Sequence, residues 1–165
     1  VHTAALAQAV QARLPARRVV HAMRYGNPGL PGVLERLRAE GVERVRVLPL
    51  YPQYSTTTTA SVADAMAAHA GTLQVQFLPE YHRNPAWVEA VADSIRAHWE
   101  AHGRGERLLL SFHGIPQRLE DAGDPYAAQC EASTTAIAQA LGIARDQVLL
   151  TFQSRFGRER WLQPY

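Results

Sequence analysis

Short β-rich runs alternate with helical stretches along the chain, and this alternation constrains the fold more than any other feature. The β-rich runs are 18–23, 44–50, 73–78, 107–112 and 147–152. The helical stretches between them are 3–13, 28–40, 56–70, 86–102 and 125–141. Because strands that alternate with helices pair in parallel through crossover connections, the pattern predicts an α/β fold with parallel sheets flanked by helices.

The connections carry helix-start signals. Asn27-Pro28, Asn84-Pro85 and Asp124-Pro125 each come after a β-rich run and before a helical stretch. Asn and Asp suit the N-cap position of a helix, and Pro suits its first turn. A composition shift near 80–85 predicts a domain boundary there, which divides the chain into 1–83 and 84–165.

Composition excludes several classes of protein. The chain has 165 residues, of which 47% are apolar and 19% charged, as in a globular domain. The formal net charge is only +2, so the sequence gives little support for nucleic-acid binding. No stretch resembles a signal peptide, and no apolar run reaches the roughly 18 residues of a membrane span. A cytoplasmic enzyme or binding domain is therefore expected.

Polar and aromatic residues follow the β-rich runs, where ligands bind in open parallel sheets. They include Arg24-Tyr25, 51–55, His82, His113 and 153–155. The set lacks a G-x-G-x-x-G loop, a Walker A lysine and a G-x-S-x-G elbow. Nucleotide-dependent and serine-hydrolase functions are thus disfavoured.

His113 is the sharpest candidate among the histidines. It lies in the stretch SFHGIP, where Gly114 permits close backbone approach and Pro116 stiffens the exit. A neutral imidazole held there could bind a metal or accept a proton near pH 7, or it could simply hydrogen-bond loop carbonyls. His82 is a weaker candidate beside Tyr81.

His98 and His102 have the i, i+4 spacing of metal ligands but alternate with charged residues, which favours a solvated helix face. His21 lies inside an apolar run and is expected to be structural.

Two further groups could contact a ligand. Arg24-Tyr25 could anchor a carboxylate and pack against a flat ring, or could be an ordinary loop pair. Ser55 and Thr57 could offer hydroxyls, or could belong to a polar helix start.

Four stretches together resemble one family. AMRYGNP (22–28), LPLYPQYSTTTTASV (48–62), LSFHGIPQRLEDAGDPY (110–126) and FQSRFGRERWLQPY (152–165) look like the ferrochelatase family, and most of all its bacterial protoporphyrin type. The resemblance implies a lyase-class metal chelatase that inserts ferrous iron into protoporphyrin IX to form protohaem in haem biosynthesis. It also implies two similar Rossmann-like (chelatase-like) domains with the porphyrin in the cleft between them.

The resemblance covers the whole chain but only about the middle half of the family's length. We therefore expect the chain to be an incomplete fragment. The family's further C-terminal part would hold the glutamate that faces the metal-side histidine.

The resemblance also assigns site residues. His113 corresponds to the family histidine that binds iron or takes pyrrole protons. Arg24 and Tyr25 correspond to the pair that contacts porphyrin. The pocket wall falls on three residues of the YPQYS segment and its continuation, Tyr51, Ser55 and Thr57.

The cofactor expectation comes from one position. Some members bind an iron–sulfur cluster through a cysteine directly after the serine of the YPQYS segment, but here that residue is Thr56, and Cys130 lies elsewhere. We expect no iron–sulfur cluster and no tightly bound cofactor, with Fe2+ as a substrate.

Alternative functions stay open at this point. The chain could belong to a chelatase for another tetrapyrrole and metal, to a non-catalytic tetrapyrrole-binding protein, or to a periplasmic ligand-binding domain. The expected partners are protoporphyrin IX and ferrous iron, without nucleic acid. The resemblance allows peripheral membrane contact and leaves the oligomeric state open.

Overall fold

The computed structural model describes residues 2–165 and confirms the expected α/β class. Its helices are α1 (His2–Arg13), α2 (Leu30–Ala39), α3 (Thr59–His69), α4 (Pro85–His102), α5 (Gln117–Asp121) and α6 (Tyr126–Leu141), with a short 3-10 helix at Arg145–Gln147. Its strands are β1 (Arg44–Val47), β2 (Gln74–Phe77), β3 (Leu108–His113) and β4 (Val148–Gln153). None of the helices in residues 2–165 is both long and apolar enough to cross a membrane.

Both sheets are parallel, as the alternation predicts. Strands β1 and β2 pair from Arg44 opposite Gln74 to Val47 opposite Phe77. Strands β3 and β4 pair from Leu108 opposite Val148 to His113 opposite Gln153. Because the strands are parallel, the last residues of β3 and β4 meet at one carboxyl edge.

The contacts between Cα atoms divide the chain into two units. The first unit contains the described residues up to Val47 together with Ser61–Phe77, and the second contains Leu48–Ala60 and Leu78–Tyr165. The boundary expected between residues 83 and 84 stays a prediction about the domains of the whole protein.

The core of the first unit joins α2 and α3 to the sheet β1–β2. Leu30 and Leu34 of α2 are buried against Met66 and Ala70 of α3 and against Leu73. Half-buried side chains of the sheet, including Val45, Val47 and Phe77, pack on this cluster. Leucines four apart put one apolar stripe on α2, and burying that stripe holds the helix in place.

The core of the second unit lies at α6 and the sheet β3–β4. Tyr126 and Cys130 of α6 are buried with Ile115, Phe152 and Leu162. Glycine ends α6, since Gly142 has φ 66° and takes the left-handed conformation that closes the helix.

The expected strand at 18–23 does not form. Only Met23 takes part in a bridge, with Gly29. The Val19 N–H donates to the Gln11 side chain at 2.8 Å, and the Met23 N–H donates to the Pro28 carbonyl at 2.8 Å. Both backbone donors are thus satisfied locally rather than by a neighbouring strand. The β1 prediction was also too long, because Pro49 has no N–H to donate to a ladder.

One of the helix-start predictions is confirmed and one is wrong. The Asn84 side chain accepts from the N–H groups of Ala86 and Trp87, at 3.0 and 3.3 Å, and so caps α4. Helix α2 instead begins after Gly29, two residues later than the expected cap at Asn27.

Leu34→Ala should destabilise the protein by about 2–5 kcal/mol, because it leaves a cavity in the core of the first unit. The matched control is Leu6→Ala, since Leu6 is exposed on α1, and its free energy of unfolding should change by less than about 0.5 kcal/mol. Urea denaturation of both variants measures the difference. Equal effects at the two leucines would contradict the described core.

Candidate functional site

His113 is the last residue of β3, at the carboxyl edge of the sheet β3–β4. It lies opposite Gln153, the last residue of β4. Its side chain is exposed. The edge therefore presents an exposed imidazole at a hydrogen-bonded strand end, and its role toward a ligand stays a prediction.

The hydrogen bonding of His113 fixes which ring nitrogen is open. Its Nδ1 lies 2.7 Å from the carbonyl oxygen of Gly114. A carbonyl only accepts hydrogen bonds, so Nδ1 carries the proton in the neutral ring. The lone pair is left on Nε2, which is the nitrogen that can accept a proton or bind a metal ion. The sequence left open whether His113 only hydrogen-bonds a loop carbonyl or has a chemical role. The hydrogen bond at Nδ1 is compatible with a chemical role at Nε2.

The loop after His113 is fixed by close backbone contact. The Gly114 N–H donates to the Gln153 carbonyl at 2.8 Å. A Cβ at Gly114 would lie 3.2 Å from that carbonyl oxygen and 3.2 Å from the Trp161 ring, so a side chain at this position would force its neighbours to shift. The Leu162 N–H donates to the Ile115 carbonyl at 3.0 Å. The closing segment of the chain therefore clamps the loop that carries the imidazole.

A buried carboxylate organises the segment that contains Ser55 and Thr57. Asp124 is only 6% exposed and Ser55 is fully buried. Asp124 Oδ2 accepts from the Ser55 hydroxyl at 3.0 Å and from the Thr56 N–H and hydroxyl, both at 2.7 Å. Asp124 Oδ1 accepts from the Tyr126 N–H at 3.0 Å, at the start of α6. One side chain thus joins this segment to a helix.

The Asp124 carboxylate also determines which hydroxyl donates in the hydrogen bond between Ser55 and Thr57. Because Ser55 donates its proton to Asp124, Thr57 is the donor in its 2.9 Å bond to the Ser55 oxygen. The Thr57 side chain is exposed and keeps only acceptor capacity for a ligand. Ser55 supports the segment from inside, while Tyr51 and Thr57 lie at its surface.

A second polar chain fixes the backbone just before Ser55. The Gln53 amide donates to the Ser133 hydroxyl at 2.9 Å, and the Tyr54 N–H donates to the Gln129 side chain at 2.6 Å. The Gln129 amide in turn donates to Glu80. Side chains of helix α6 therefore hold residues 53 and 54, next to the two residues that Asp124 holds.

His82 joins this network through its backbone carbonyl, which accepts from the Ser133 hydroxyl at 3.1 Å. It is 8% exposed, and its Nδ1 lies 3.1 Å from Glu80 Oε2. Burial raises the pKa of the neighbouring Tyr81 above its usual value. Both residues border a cavity of about 340 Å³ that Leu78, Arg83 and Asn84 also line.

Arg24 and Tyr25 lie together in the first unit. The Arg24 guanidinium carbon is 4.5 Å from the centroid of the Tyr25 ring. Both side chains are exposed, and both contact Ser61. The pair is therefore stacked and available to a ligand.

The other candidate metal ligands do not form a cluster within the described residues. Residues 2–165 contain no group of three or more His, Cys, Asp or Glu side chains placed to hold a metal ion. His98 and His102 stack on each other with ring centroids 4.4 Å apart on the exposed side of α4. Cys130 has no exposed surface, and burial raises the pKa of its thiol to about 12. The expectation of no iron–sulfur cluster stays a prediction.

Sequence reasoning missed the hydrogen bonds that Asp124 and Ser61 make to the candidate site residues. The Asp124-Pro125 pair predicts only a helix start. The Asp124 carboxylate, however, also accepts hydrogen bonds from Thr56 and Ser55, which lie 68 and 69 positions earlier in the chain. Ser61 lies inside the stretch 48–62 that carries the family resemblance, but nothing in the sequence singles it out. No local signal announces either contact, because both partners are distant in the chain.

Comparison with known proteins gives one consistent result. A family model described as ferrochelatase matches residues 1–165. Over the whole chain, a ferrochelatase of Stenotrophomonas maltophilia (strain R551-3) is 60% identical, with 52% of that protein covered. A ferrochelatase of Xanthomonas axonopodis pv. citri (strain 306) is 55% identical, with 53% covered. The chain thus spans about half the length of the curated relatives it matches.

Asp124→Ala should lower the free energy of unfolding by about 2–4 kcal/mol, because the donors at residues 55, 56 and 126 lose their acceptor, and Ser55 and Tyr126 are buried. Asp124→Asn keeps the volume but replaces one acceptor by a donor, and should also be destabilised. The control is Asp121→Ala, because Asp121 is exposed three residues away. Urea denaturation measures all three. A variant at 124 as stable as the control would contradict the network.

Cys130 should react with a thiol reagent at least about a hundredfold more slowly in the folded protein than in urea at pH 8, because its thiol is buried and protonated. A folded-state pKa of about 12 lies above the unfolded value of roughly 8.5. The thiol therefore stabilises the fold below about pH 8.5, and this contribution falls as the pH rises toward 12. Since Cys130 is the only cysteine, the label reports on it alone. Equal rates in both states would contradict its burial.

Proposed function

The chain belongs to the ferrochelatase family, and we propose that the protein inserts ferrous iron into protoporphyrin IX to form protohaem. It would be a metal chelatase of the lyase class in haem biosynthesis. The structural observation that carries the proposal is the His113 imidazole, which is held at a strand end with the Nε2 lone pair open. Cytoplasmic location and contact with a membrane surface stay predictions.

Metal insertion needs a proton acceptor and a metal ligand, which a histidine can be, and does not need a nucleophile. Two pyrrole N–H protons must leave and one divalent ion must enter, so the site needs a proton acceptor and a ligand that releases the metal again. Imidazole has an unperturbed pKa near 6.5, which suits proton transfer at neutral pH. It also binds Fe(II) without the stronger hold of a thiolate. His113 Nε2 has the geometry for either role, since Nδ1 is occupied by the Gly114 carbonyl.

The other predicted site residues would bind different parts of the macrocycle. Arg24 offers a guanidinium to a propionate carboxylate, and the Tyr25 ring offers an apolar face to the porphyrin plane. Tyr51 and the Thr57 methyl group would provide a wall, in which the buried Ser55 and Asp124 hold Thr57 in place. A rigid wall favours catalysis if it binds the ring bent, closer to the transition state than to the free porphyrin.

The direct test is an anaerobic assay of the complete protein with ferrous iron and protoporphyrin IX, followed by the absorbance of protohaem. Insertion of iron supports the proposal. Tight porphyrin binding without insertion would instead indicate a tetrapyrrole carrier. Metallation of a sirohydrochlorin-type ring, but not of protoporphyrin, would indicate a chelatase for another tetrapyrrole.

His113→Ala in the complete protein should lower kcat by at least about a hundredfold, because proton transfer or metal delivery loses its acceptor. The porphyrin Kd, measured by fluorescence quenching, should stay within about threefold. The control is His98→Ala, since His98 is exposed on α4 and should leave both values unchanged. Normal turnover in His113→Ala would overturn the assignment of this histidine.

A further inference from the structure

A serine in the middle of α6 joins two distant segments of the second unit. Ser133 has no exposed surface, and its hydroxyl oxygen accepts from the Gln53 amide at 2.9 Å. Gln53 is itself only 6% exposed. The Ser133 hydroxyl lies 3.1 Å from the His82 carbonyl oxygen and 2.9 Å from the Gln129 carbonyl oxygen, either of which can accept its single proton. Ser133 is thus a buried junction between residue 53, residue 82 and its own helix.

The residues on either side of Gln53 are held as well. The Pro52 carbonyl accepts from the Tyr81 N–H at 2.9 Å. The Tyr54 N–H donates to a side chain of α6 at 2.6 Å. Tyr51 directly precedes these three residues, so the backbone that carries its ring is fixed at each of the next three positions.

Helix α6 also packs against the loop that follows His113. Cys130, three residues before the serine, is buried in one cluster with Ile115, and Ile115 lies two residues after His113. These residues and the segment 51–54 all belong to the second unit. One helix therefore supports both the segment of Tyr51 and the loop of the imidazole.

The next residue of α6 shows what a buried hydroxyl does when it has only a local role. Thr134 is also without exposed surface, and its hydroxyl donates to the Cys130 carbonyl of its own helix at 2.9 Å. Such a bond to the carbonyl four residues earlier satisfies the donor of a helical hydroxyl without any distant partner. Ser133 has an equivalent carbonyl at Gln129 and in addition accepts from Gln53, 80 positions earlier in the chain.

We infer that Ser133 is a positioning residue that fixes Tyr51 relative to His113. The inference rests on the proposed function, in which Tyr51 contacts the macrocycle and His113 takes its pyrrole protons or binds the iron. Ser133 is buried and acts through Gln53. Because a displacement of about 1 Å between reacting groups can cost on the order of a hundredfold in rate, the geometry held by this junction affects kcat more than porphyrin affinity.

Hydrogen exchange in the complete protein tests whether the junction holds the segment. Ser133→Ala should speed amide exchange in residues 51–57 by at least about tenfold, because the segment opens more easily without its buried partner. Thr134→Val removes a hydroxyl of equal burial from the same helix, and should change exchange in this segment by less than about twofold. Equal exchange in Ser133→Ala and the unsubstituted protein would overturn the inference.

Steady-state kinetics test whether the position matters for iron insertion. Ser133→Ala should lower kcat by about ten- to a hundredfold, with the porphyrin Kd within about threefold and with Thr134→Val as the unaffected control. In the Tyr51→Ala background, Ser133→Ala should change kcat by less than about twofold, because there is no ring left to position. Normal kcat in Ser133→Ala, or an equal loss in the Tyr51→Ala background, would overturn the positioning role.

Gln53→Met tests the same hydrogen bond from its other end. It removes the amide at similar volume and should lower kcat as Ser133→Ala does, so it decides the inference if Ser133→Ala does not fold. The double variant of Gln53→Met and Ser133→Ala should lose no more kcat than either single variant, because both remove one interaction. Additive losses would contradict a role that acts through Gln53.

Failure of the inference and failure of the proposed function can be told apart. Porphyrin binding without iron insertion by the unsubstituted protein would overturn the proposed function, while hydrogen exchange would still decide whether Ser133 holds the segment. Iron insertion at an unchanged kcat in both Ser133→Ala and Gln53→Met would support the proposed function and overturn the inference.

Discussion

The Asp124 carboxylate has to be satisfied inside the protein, because a buried charge without partners is far more costly than an exposed one. Its four hydrogen bonds come from two places, residues 55–56 and the start of α6. Satisfying the charge therefore fixes the segment relative to the helix. This requirement sets the conformation of Ser55. Because Ser55 donates to Asp124, Thr57 is the donor in the hydrogen bond between Thr57 and Ser55.

The loop of His113 depends on a different constraint, the close approach of backbones at Gly114. A Cβ there would meet a carbonyl oxygen and an indole ring, both at 3.2 Å. A side chain at this position would force these neighbours to shift, whereas glycine lets the Gly114 N–H donate to the Gln153 carbonyl without such a shift. The imidazole is exposed, yet the chain beneath it has little freedom. Sites whose side chains must keep a fixed geometry commonly carry their reactive groups on rigid elements.

The sequence predicts periodic elements well and distant polar contacts poorly. Helices such as α4 follow from apolar spacing and a local cap at Asn84, both of which are visible in a short window. The run 18–23 has strand composition, but composition cannot say whether a neighbour is present to complete a ladder, and Val19 bonds Gln11 instead. His113 could be selected as a candidate because its position at the end of an apolar run is itself a local signal.

The contacts of Ser61 and Asp124 could not be identified from the sequence, because they exist only after folding. Arg24 reaches a serine 37 positions away, and Asp124 reaches a threonine 68 positions away. In each case a residue predicted from its own chemistry is held by a partner whose chemistry is ordinary. Motif reading therefore identifies candidate residues from their own chemistry, but not the distant residues that hydrogen-bond to them. A side chain that a partner already holds has less conformational freedom to lose when a ligand binds, so such a partner can affect affinity without touching the ligand.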